Sequence, residues 1–450
     1  MVRYMLIPHF DFDLARVPAP PVDDPPLTPL YDSLTANLPH PVMAYTSLSF
    51  PPSTYLFPHA HVVEKYLESY ADHFDLNSHI RLDTQVLSIE YIGTSWKVLV
   101  SGKSEALDFD LVIVCNGHYT KPRYPSTPGL QVWLQHDRAS HSAWYRSPEK
   151  YKNLAVLVVG AGPSGRDISS EVRSTVSRVI HSITGGSNSH DGNLTVKGRI
   201  ARFGASGDVE FEDGLIETGI DHCILATGYE KSFPFLPESL LLRGDPMPTE
   251  DGIPGLLYNS TYCLYPLARH IFPLFQTQYP PNSLAFIGLQ SRVAPLPLVE
   301  AQAHAIVHFF ANSDSFDIPH EKKLLLERYN RLAAELGTRD ASVIWKSWHK
   351  FTDMEQFGYR DELYRFASSS SDPSTPPIIV RDWEREAYAR RDSLRELWVE
   401  LERSGKADDF VRGVGENGIQ EWVDLMRKMM RMIDEKGLED TVDALRGLQL

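Results

Sequence analysis

The sequence predicts an α/β protein with a parallel sheet and a helical C-terminal region. In Leu154–Glu171, an apolar run rich in β-branched residues is followed by glycines and then by a helical pattern. Two later apolar runs, Ile220–Leu225 and Leu284–Leu289, are each closed by a glycine turn. Such runs are typical of strands buried on both faces of a parallel sheet. From Lys322 onward the pattern is charged and mostly helical.

Gly160, Gly162 and Gly165 follow the first apolar run at G-x-G-x-x-G spacing. In a dinucleotide fold the first glycine permits a tight turn, the second lets the backbone approach a pyrophosphate, and the third lets helix pack on strand. The helix N-terminus adds free N–H groups and a partial positive charge. Strand, turn and helix together predict a dinucleotide site, and a glycine-rich turn without a ligand is the alternative.

Val176–His181 is predicted to be the second strand of this nucleotide unit. A carboxylate at its end would bind the ribose 2′-hydroxyl of NAD, but the chain has His181, Ser182 and Thr184 there. The missing carboxylate favours NADP, and NAD remains open because no arginine lies on the strand end. Three cations are candidates for a 2′-phosphate: Lys197, Arg199 and Arg202.

Composition restricts the class of protein. The 450 residues have a net charge of −15, which argues against nonspecific binding to nucleic acid and to anionic membranes. Cys115, Cys223 and Cys263 form no C-x-x-C pair and predict reduced thiols in a cytoplasmic location. No apolar stretch reaches transmembrane length, and the N-terminus lacks a signal-peptide pattern. The histidines lack the cysteine or carboxylate neighbours that a metal site needs, so no metal is expected.

Five motifs occur in order between Leu34 and Ala303. They are Leu34–Pro39 with Val42-Met43, Val112–Tyr119, Gly160–Gly165, Cys223–Tyr229 with Phe233–Leu236, and Phe286–Leu289 with Pro297 and Glu300–Ala303. Together they resemble the flavin-containing monooxygenase family, and its fungal members most closely. The resemblance implies two Rossmann-like dinucleotide-binding domains, one for FAD and one for NADPH.

Two departures from the family pattern stand out. The signature F-x-G-x-x-x-H-x-x-x-Y is matched only in its second half, by His141, Ser142, Tyr145 and Arg146, while Gln135 and Asp137 replace the phenylalanine and glycine. Tyr145, where Baeyer–Villiger relatives would have tryptophan, favours amine and sulfur oxidation. The second departure is that the 36 residues before Asn37 contain no glycine, so the FAD domain is expected to be incomplete at its N-terminus.

The resemblance implies an oxidoreductase of the N,N-dimethylaniline monooxygenase type, a flavoprotein that uses NADPH and O2. A C4a-hydroperoxyflavin would transfer one oxygen atom to a nucleophilic nitrogen or sulfur of a small molecule. The protein would orient the reactants and exclude water from the site. The expected catalytic residue is Asn37, for which a turn residue before Leu38-Pro39 is the simpler interpretation. The residues expected at the cofactors are Asn37, Leu38, Val86, Gly160, Gly162, Pro163, Ser164, Gly165, Arg166, Asp167, Ser182, Thr227 and Gly228.

The alternative is a non-catalytic NADP-binding remnant that lacks the FAD pyrophosphate site. A relative of the pyridine nucleotide–disulfide reductases is disfavoured because no C-x-x-x-x-C pair exists. The oligomeric state stays open, with a homodimer as one option. The expected organisation is a proline-rich extended segment (1–33), a truncated first part of the FAD domain (34–150), an NADP-binding domain (151–250), a second part of the FAD domain (251–320) and a helical C-terminal region (321–450).

Overall fold

A computed structural model describes residues 29–244, 246, 248, 253–368 and 379–436. Most of the proline-rich segment expected over 1–33 therefore lies outside the described residues. By chain contacts the protein divides into two compact units. One contains His118–Glu230 with the short segment that ends at Leu34, and the other contains Thr35–Gly117 with the described residues from Lys231 onward.

The described residues form eighteen β-strands and twelve α-helices. The strands are β1 Val86–Ile92, β2 Ser95–Val100, β3 Leu107–Phe109, β4 Val112–Val114, β5 Lys121–Pro122, β6 Ala139–His141, β7 Ala155–Val159, β8 Arg178–Ser182, β9 Ser189–Asp191, β10 Leu194–Lys197, β11 Ile200–Phe203, β12 Val209–Phe211, β13 Ile216–Glu217, β14 His222–Leu225, β15 Tyr229–Glu230, β16 Tyr258–Asn259, β17 Leu264–Tyr265 and β18 Leu284–Phe286. The helices are α1 His40–Met43, α2 Ala60–His73, α3 Leu130–Gln135, α4 Pro163–Val172, α5 Pro295–Ala311, α6 Ile318–Glu335, α7 Ala341–Ser347, α8 Glu355–Ser368, α9 Asp382–Ala389, α10 Arg391–Arg403, α11 Ala407–Val411 and α12 Ile419–Lys436.

The unit around His118–Glu230 contains a six-stranded sheet in the order β6-β14-β7-β8-β10-β9. Its first five strands run parallel, and β9 pairs antiparallel with β10 at the edge. Val156 and Val158 pack with Ile168 and Val172 of α4, whereas Leu157 packs in a separate core with α3, β11 and β12. The side chains of β7 are therefore buried on both faces of the sheet, which confirms the prediction. Burial of each such side chain contributes about 1.5–3 kcal/mol.

The other unit contains an antiparallel sheet, β1-β2-β3, and a parallel pair, β4 and β18. Its C-terminal helices bury their apolar faces together: Met426, Met429, Met430 and Ile433 of α12 are all buried, at the spacing of one helix face. Trp398 of α10 packs in the same core as these side chains. The predicted helical C-terminal region is thereby confirmed.

The apolar patterns of Ile80–Ile89 and Leu111–Cys115 also predict strands. The strand expected over Ile80–Ile89 begins only at Val86, because Asp83 adopts a φ of +51° that no strand accommodates. The strand expected over Leu111–Cys115 is β4, and the residues before it form a separate strand, β3, which pairs with a different neighbour. The domain boundaries expected from the sequence stay a prediction.

Candidate dinucleotide site

The glycine loop is attached to two neighbouring strands at the point where β7 ends. Gly160 has a φ of +128°, and a Cβ built on it would lie 2.2 Å from the carbonyl oxygen of Ala226. Its N–H donates to the carbonyl oxygen of Ser182 at 3.0 Å, and its own carbonyl oxygen lies 2.8 Å from Nε2 of His181. The turn therefore requires glycine and is held against the ends of β8 and β14.

Gly162 differs from the glycines on either side of it. It is exposed, has an ordinary φ of −70° as the residue before α4, and a Cβ built on it would meet no heavy atom within 4 Å. At Gly165, in contrast, a Cβ would lie 2.0 Å from the carbonyl oxygen of Gly160. Two glycines thus close the turn, and the middle one leaves open space at the N-terminus of α4, where an anion is stabilised. This cradle fits a dinucleotide pyrophosphate.

The Ala226–Gly228 turn beside the loop is held from two sides. Arg123 donates from Nη2 to the carbonyl oxygen of Thr227 at 2.7 Å, and Oγ1 of Thr227 donates back to the carbonyl oxygen of Arg123 at 2.6 Å. Nε2 of His141 lies 3.0 Å from the carbonyl oxygen of Gly228. Burial lowers the pKa of His141 to about 4, assisted by Arg123 and opposed by the Gly228 contact. The imidazole is therefore neutral at pH 7 and donates to Gly228.

Several predicted cofactor residues lie on or next to α4, with different environments. Pro163 occupies the first helical position, where a missing N–H costs nothing. Ser164 is partly exposed, and Arg166 is exposed. Asp167 accepts a hydrogen bond from Oη of Tyr31 at 2.7 Å. Ser182, at the end of β8, is buried and donates from Oγ to the carbonyl oxygen of Gly198 at 2.8 Å.

The residues predicted for the flavin side lie in the other unit. Asn37 is exposed, between two residues that are fixed by the fold. The N–H of Ala36 donates to the carbonyl oxygen of Pro58 at 2.8 Å, and Leu38 is buried in the core of the C-terminal helices. Val86 begins β1 and packs in a different core. Leu38 and Val86 therefore serve the packing of the unit, whereas Asn37 has an accessible side chain.

Two parallel strands of that unit, β4 and β18, end next to each other in polar turns. After β4, Nδ2 of Asn116 donates to the carbonyl oxygen of Ser232 at 2.9 Å. After β18, the N–H of Gly288 donates to Oε1 of Gln302 at 2.9 Å. Nζ of Lys231 donates to the carbonyl oxygen of Leu289 at 2.7 Å, and burial lowers its pKa to about 7. Within the described ranges no strand of this unit leads into a G-x-G-x-x-G. The part of this unit that fits FAD is therefore the pair of polar turns at the carboxyl ends of β4 and β18.

A second G-x-G-x-x-G, which the sequence analysis missed, lies at Gly413–Gly418 directly before α12. It follows the short helix α11 instead of a strand. Oε2 of Glu421 accepts from the N–H groups of Gly415 at 2.8 Å and Asn417 at 3.1 Å. The amides that a phosphate would need are thus already satisfied by a carboxylate of the chain itself.

Comparison with known proteins places the chain among the monooxygenases. The family model described as flavin-binding monooxygenase-like matches residues 23–190 and 189–382. The chain belongs to this family. It is 30% identical over 362 residues to the thiol-specific monooxygenase of Saccharomyces cerevisiae, covering 75% of this chain and 81% of the relative. It is also 30% identical over 358 residues to flavin-containing monooxygenase FMO GS-OX-like 7 of Arabidopsis thaliana, covering 71% and 70%.

A solved structure agrees with this assignment. The S-allyl-L-cysteine S-oxygenase of Allium sativum superimposes with a TM-score of 0.67 and 25% identity, over 90% of this chain and 85% of that one. As a member of the family the protein is a flavin monooxygenase whose cofactors are FAD and NADPH. In the part of the chain that the structure describes, no helix is long and apolar enough to cross a membrane. The same residues include no group of three or more His, Cys, Asp or Glu placed to hold a metal ion.

Proposed function

We propose that this chain uses NADPH bound at the Gly160–Gly165 loop to oxygenate a nucleophilic sulfur or nitrogen atom of a small molecule. The observation that supports this most directly is Gly162, whose open position at the N-terminus of α4 suits a pyrophosphate. Gly160 and Gly165 do not offer such space for a pyrophosphate, because backbone atoms already lie where their Cβ atoms would be.

Sulfur is the favoured acceptor atom. A relative is named a thiol-specific monooxygenase, and a structural neighbour is named an S-oxygenase of S-allyl-L-cysteine. Tyr145 gives no further support for the amine- and sulfur-oxidising side, because it is buried and donates from Oη to Oε2 of Glu171 at 2.8 Å. A thiol or thioether is therefore the proposed substrate class, and a tertiary amine is the second.

In this proposal the residues of the chain bind and orient. Flavin and NADPH together supply the redox chemistry. The free N–H groups at the start of α4 hold the pyrophosphate, and the turn fixed by Arg123 and His141 lies directly against Gly160 of the loop. The accessible amide of Asn37 is proposed to hydrogen-bond the flavin.

The test is oxygen transfer by the purified protein after incubation with FAD. NADPH consumption is followed at 340 nm with a thioether or with N,N-dimethylaniline present, under ¹⁸O2, and the product is analysed by mass spectrometry. We expect a sulfoxide with one ¹⁸O atom and a smaller yield of N-oxide. Asn37→Ala should lower kcat/KM for oxygen transfer at least about 10-fold while NADP⁺ affinity stays unchanged, and a 10-fold lower rate corresponds to ~1.4 kcal/mol at the transition state.

A second candidate is a protein that binds NADP and performs no oxygenation. It is favoured by the flavin-side unit, in which no strand among the described residues is followed by G-x-G-x-x-G. Protein that binds NADP⁺ but stays colourless with added FAD would support this candidate against the first. Flavin absorbance that is bleached by NADPH would exclude it.

A further inference from the structure

The turn that follows β18 has some of its backbone amides satisfied and others open. The N–H of Gly288 donates to Oε1 of Gln302 on α5 at 2.9 Å. The next two N–H groups, those of Leu289 and Gln290, make no hydrogen bond within the described residues. Neighbouring open amides at the end of a strand present donors to a ligand. The direction in which they point depends on what holds Gly288.

The amide of Gln302 has only one orientation that fits this turn. A backbone N–H can only donate, so the atom of Gln302 that faces Gly288 is the oxygen and its NH2 group points the other way. From there Nε2 donates to Oε1 of Gln290 at 3.0 Å and to Oη of Tyr359 at 2.9 Å. Gln302 is fully buried, and its oxygen and both hydrogens of its NH2 group are engaged.

Tyr359 of α8 completes the network. Its oxygen accepts from Nε2 of Gln302 at 2.9 Å and from Nε2 of Gln290 at 3.2 Å. Its proton is left for the carbonyl oxygen of Arg269, at 2.7 Å. Burial raises the pKa of Tyr359, so the hydroxyl keeps the proton that this bond requires. Each hydrogen bond between Gly288 and Arg269 therefore has a single possible direction, and such buried, fully satisfied networks are rigid.

The network ends on a backbone turn that is itself restrained. Arg269 and His270 both have positive φ, 52° and 58°, and the N–H of Phe286 in β18 donates to the carbonyl oxygen of the next residue, Ile271, at 3.0 Å. This conformation is costly for residues other than glycine and persists only where the surroundings hold it. The bond from Tyr359 is one such restraint, so Gln302 connects the open amides to a fixed point in the fold.

A second buried glutamine offers a comparison at the other end of β18. Oε1 of Gln276 accepts from the N–H groups of Gln278 at 2.7 Å and Tyr279 at 3.0 Å, in the segment that leads into the strand. Gln276 is buried, as Gln302 is. It therefore also satisfies backbone amides, but at the amino end of the strand, whereas the turns that fit FAD lie at carboxyl ends.

We propose that Gln302, oriented by Tyr359, is a positioning residue for FAD: it holds Gly288 so that the open amides of the next two residues are directed at the cofactor. Without Gln302 these amides have to be ordered when FAD binds, and that cost lowers the affinity. The proposal rests on the proposed function, in that it takes FAD to be bound at this turn.

The test measures FAD binding to the full chain, freed of flavin, by isothermal titration calorimetry. Gln302→Leu removes the acceptor for Gly288 and should weaken FAD at least about 10-fold. Tyr359→Phe leaves that acceptor in place and should weaken FAD less. Gln276→Leu is the matched control. It should lower the melting temperature of the flavin-free protein, as Gln302→Leu does, because both leave buried amides unpaired, but its FAD affinity should equal that of the wild type.

A double variant separates positioning from a general loss of stability. Gln302 and Tyr359 act on the same turn through one network, so their effects should not be independent. We expect the variant with both Gln302→Leu and Tyr359→Phe to lose clearly less FAD affinity than the product of the two single losses.

Wild-type FAD affinity in Gln302→Leu with a native circular dichroism spectrum would overturn the proposal. So would a loss in Gln276→Leu as large as that in Gln302→Leu, or a double variant whose loss equals the product. If Gln302→Leu does not fold, Tyr359→Phe decides, and wild-type affinity there would overturn the proposal. A wild type that binds no FAD refutes the proposed function as well, whereas one that binds FAD and transfers no oxygen refutes the proposed function alone.

Discussion

The chain contains the spacing G-x-G-x-x-G twice, and the two loops have opposite structures. At Gly160–Gly165 a strand leads into the loop. A Cβ on the first or third glycine would clash with backbone atoms, whereas a Cβ on Gly162 would meet no heavy atom within 4 Å. At Gly413–Gly418 a short helix leads into the loop, and it is the middle glycine that is closed: a Cβ on Gly415 would lie 2.5 Å from Nε1 of Trp422.

The difference shows what the spacing does and does not determine. Both loops precede a helix and present backbone N–H groups at its start, where an anion is favoured. In the first loop that position is open to a ligand, whereas in the second it is occupied by the carboxylate of Glu421. A glycine pattern therefore predicts a phosphate site only when a strand of a parallel sheet precedes it.

The largest effect is expected from Gly160→Ala. The new Cβ would clash with the carbonyl oxygen of Ala226, and alanine is strained at a φ of +128°. Together these costs predict a loss of about 2–5 kcal/mol in the free energy of unfolding, measurable by urea denaturation. Gly358→Ala is the matched control, because that glycine lies exposed in α8 with no heavy atom near its Cβ position. Equal stability of the two variants would show that the first loop is not closed as described.

The next effect is expected from Gly162, where binding should be lost without unfolding. Gly162→Ala has an ordinary φ and meets no neighbour, so the melting temperature should stay close to that of the wild type. The added methyl group would hinder the approach of a pyrophosphate and weaken NADP⁺ at least about 10-fold, ~1.4 kcal/mol. Gly162→Asp adds a repelling charge and should abolish binding. Unchanged NADP⁺ affinity in calorimetry would refute the placement of the pyrophosphate at this glycine.

The smallest effect is expected from Glu421→Gln in the second loop. The side-chain amide of Asn417, with the backbone N–H groups of Asn417 and Gly415, lowers the pKa of Glu421. The carboxylate therefore stabilises the fold above the ordinary glutamate pKa, and this contribution is lost as pH falls through the lowered value. The variant should melt at a slightly lower temperature at pH 7, and the difference should shrink on acidification. Glu416→Gln, an exposed neighbour, is the control.

A variant of Glu421 tests whether the carboxylate or the preceding element distinguishes the two loops. Glu421→Ala removes the carboxylate that satisfies the amides of the second loop. We expect this variant still to bind one NADP⁺ per chain, because no strand positions the second loop for a dinucleotide. A stoichiometry of two would show that the carboxylate alone, and not the preceding element, distinguishes the loops.

Much of the nucleotide unit could be predicted from local sequence. The apolar run, the glycine turn and the helix start depend on backbone sterics and on burial on both faces of a strand, and these requirements are visible within twenty residues. The hydrogen bond that Asp167 accepts was not predictable, because its donor, Tyr31, is 136 positions away in the sequence. The same holds for the flavin side, where Leu38 and Val86 serve separate cores.

The position of the nucleotide loop, the family and the helical C-terminal region could be predicted from the sequence alone, because glycine placement and apolar periodicity act over short distances. Which polar groups already have a partner within the chain depended on tertiary packing. Folding placed carboxylates beside Lys197 and Arg202, and it placed Glu421 on the amides of the second glycine loop. A charge interacts with any opposite charge or polar group that folding brings within a few ångströms, and the spacing of residues along the sequence does not encode that distance.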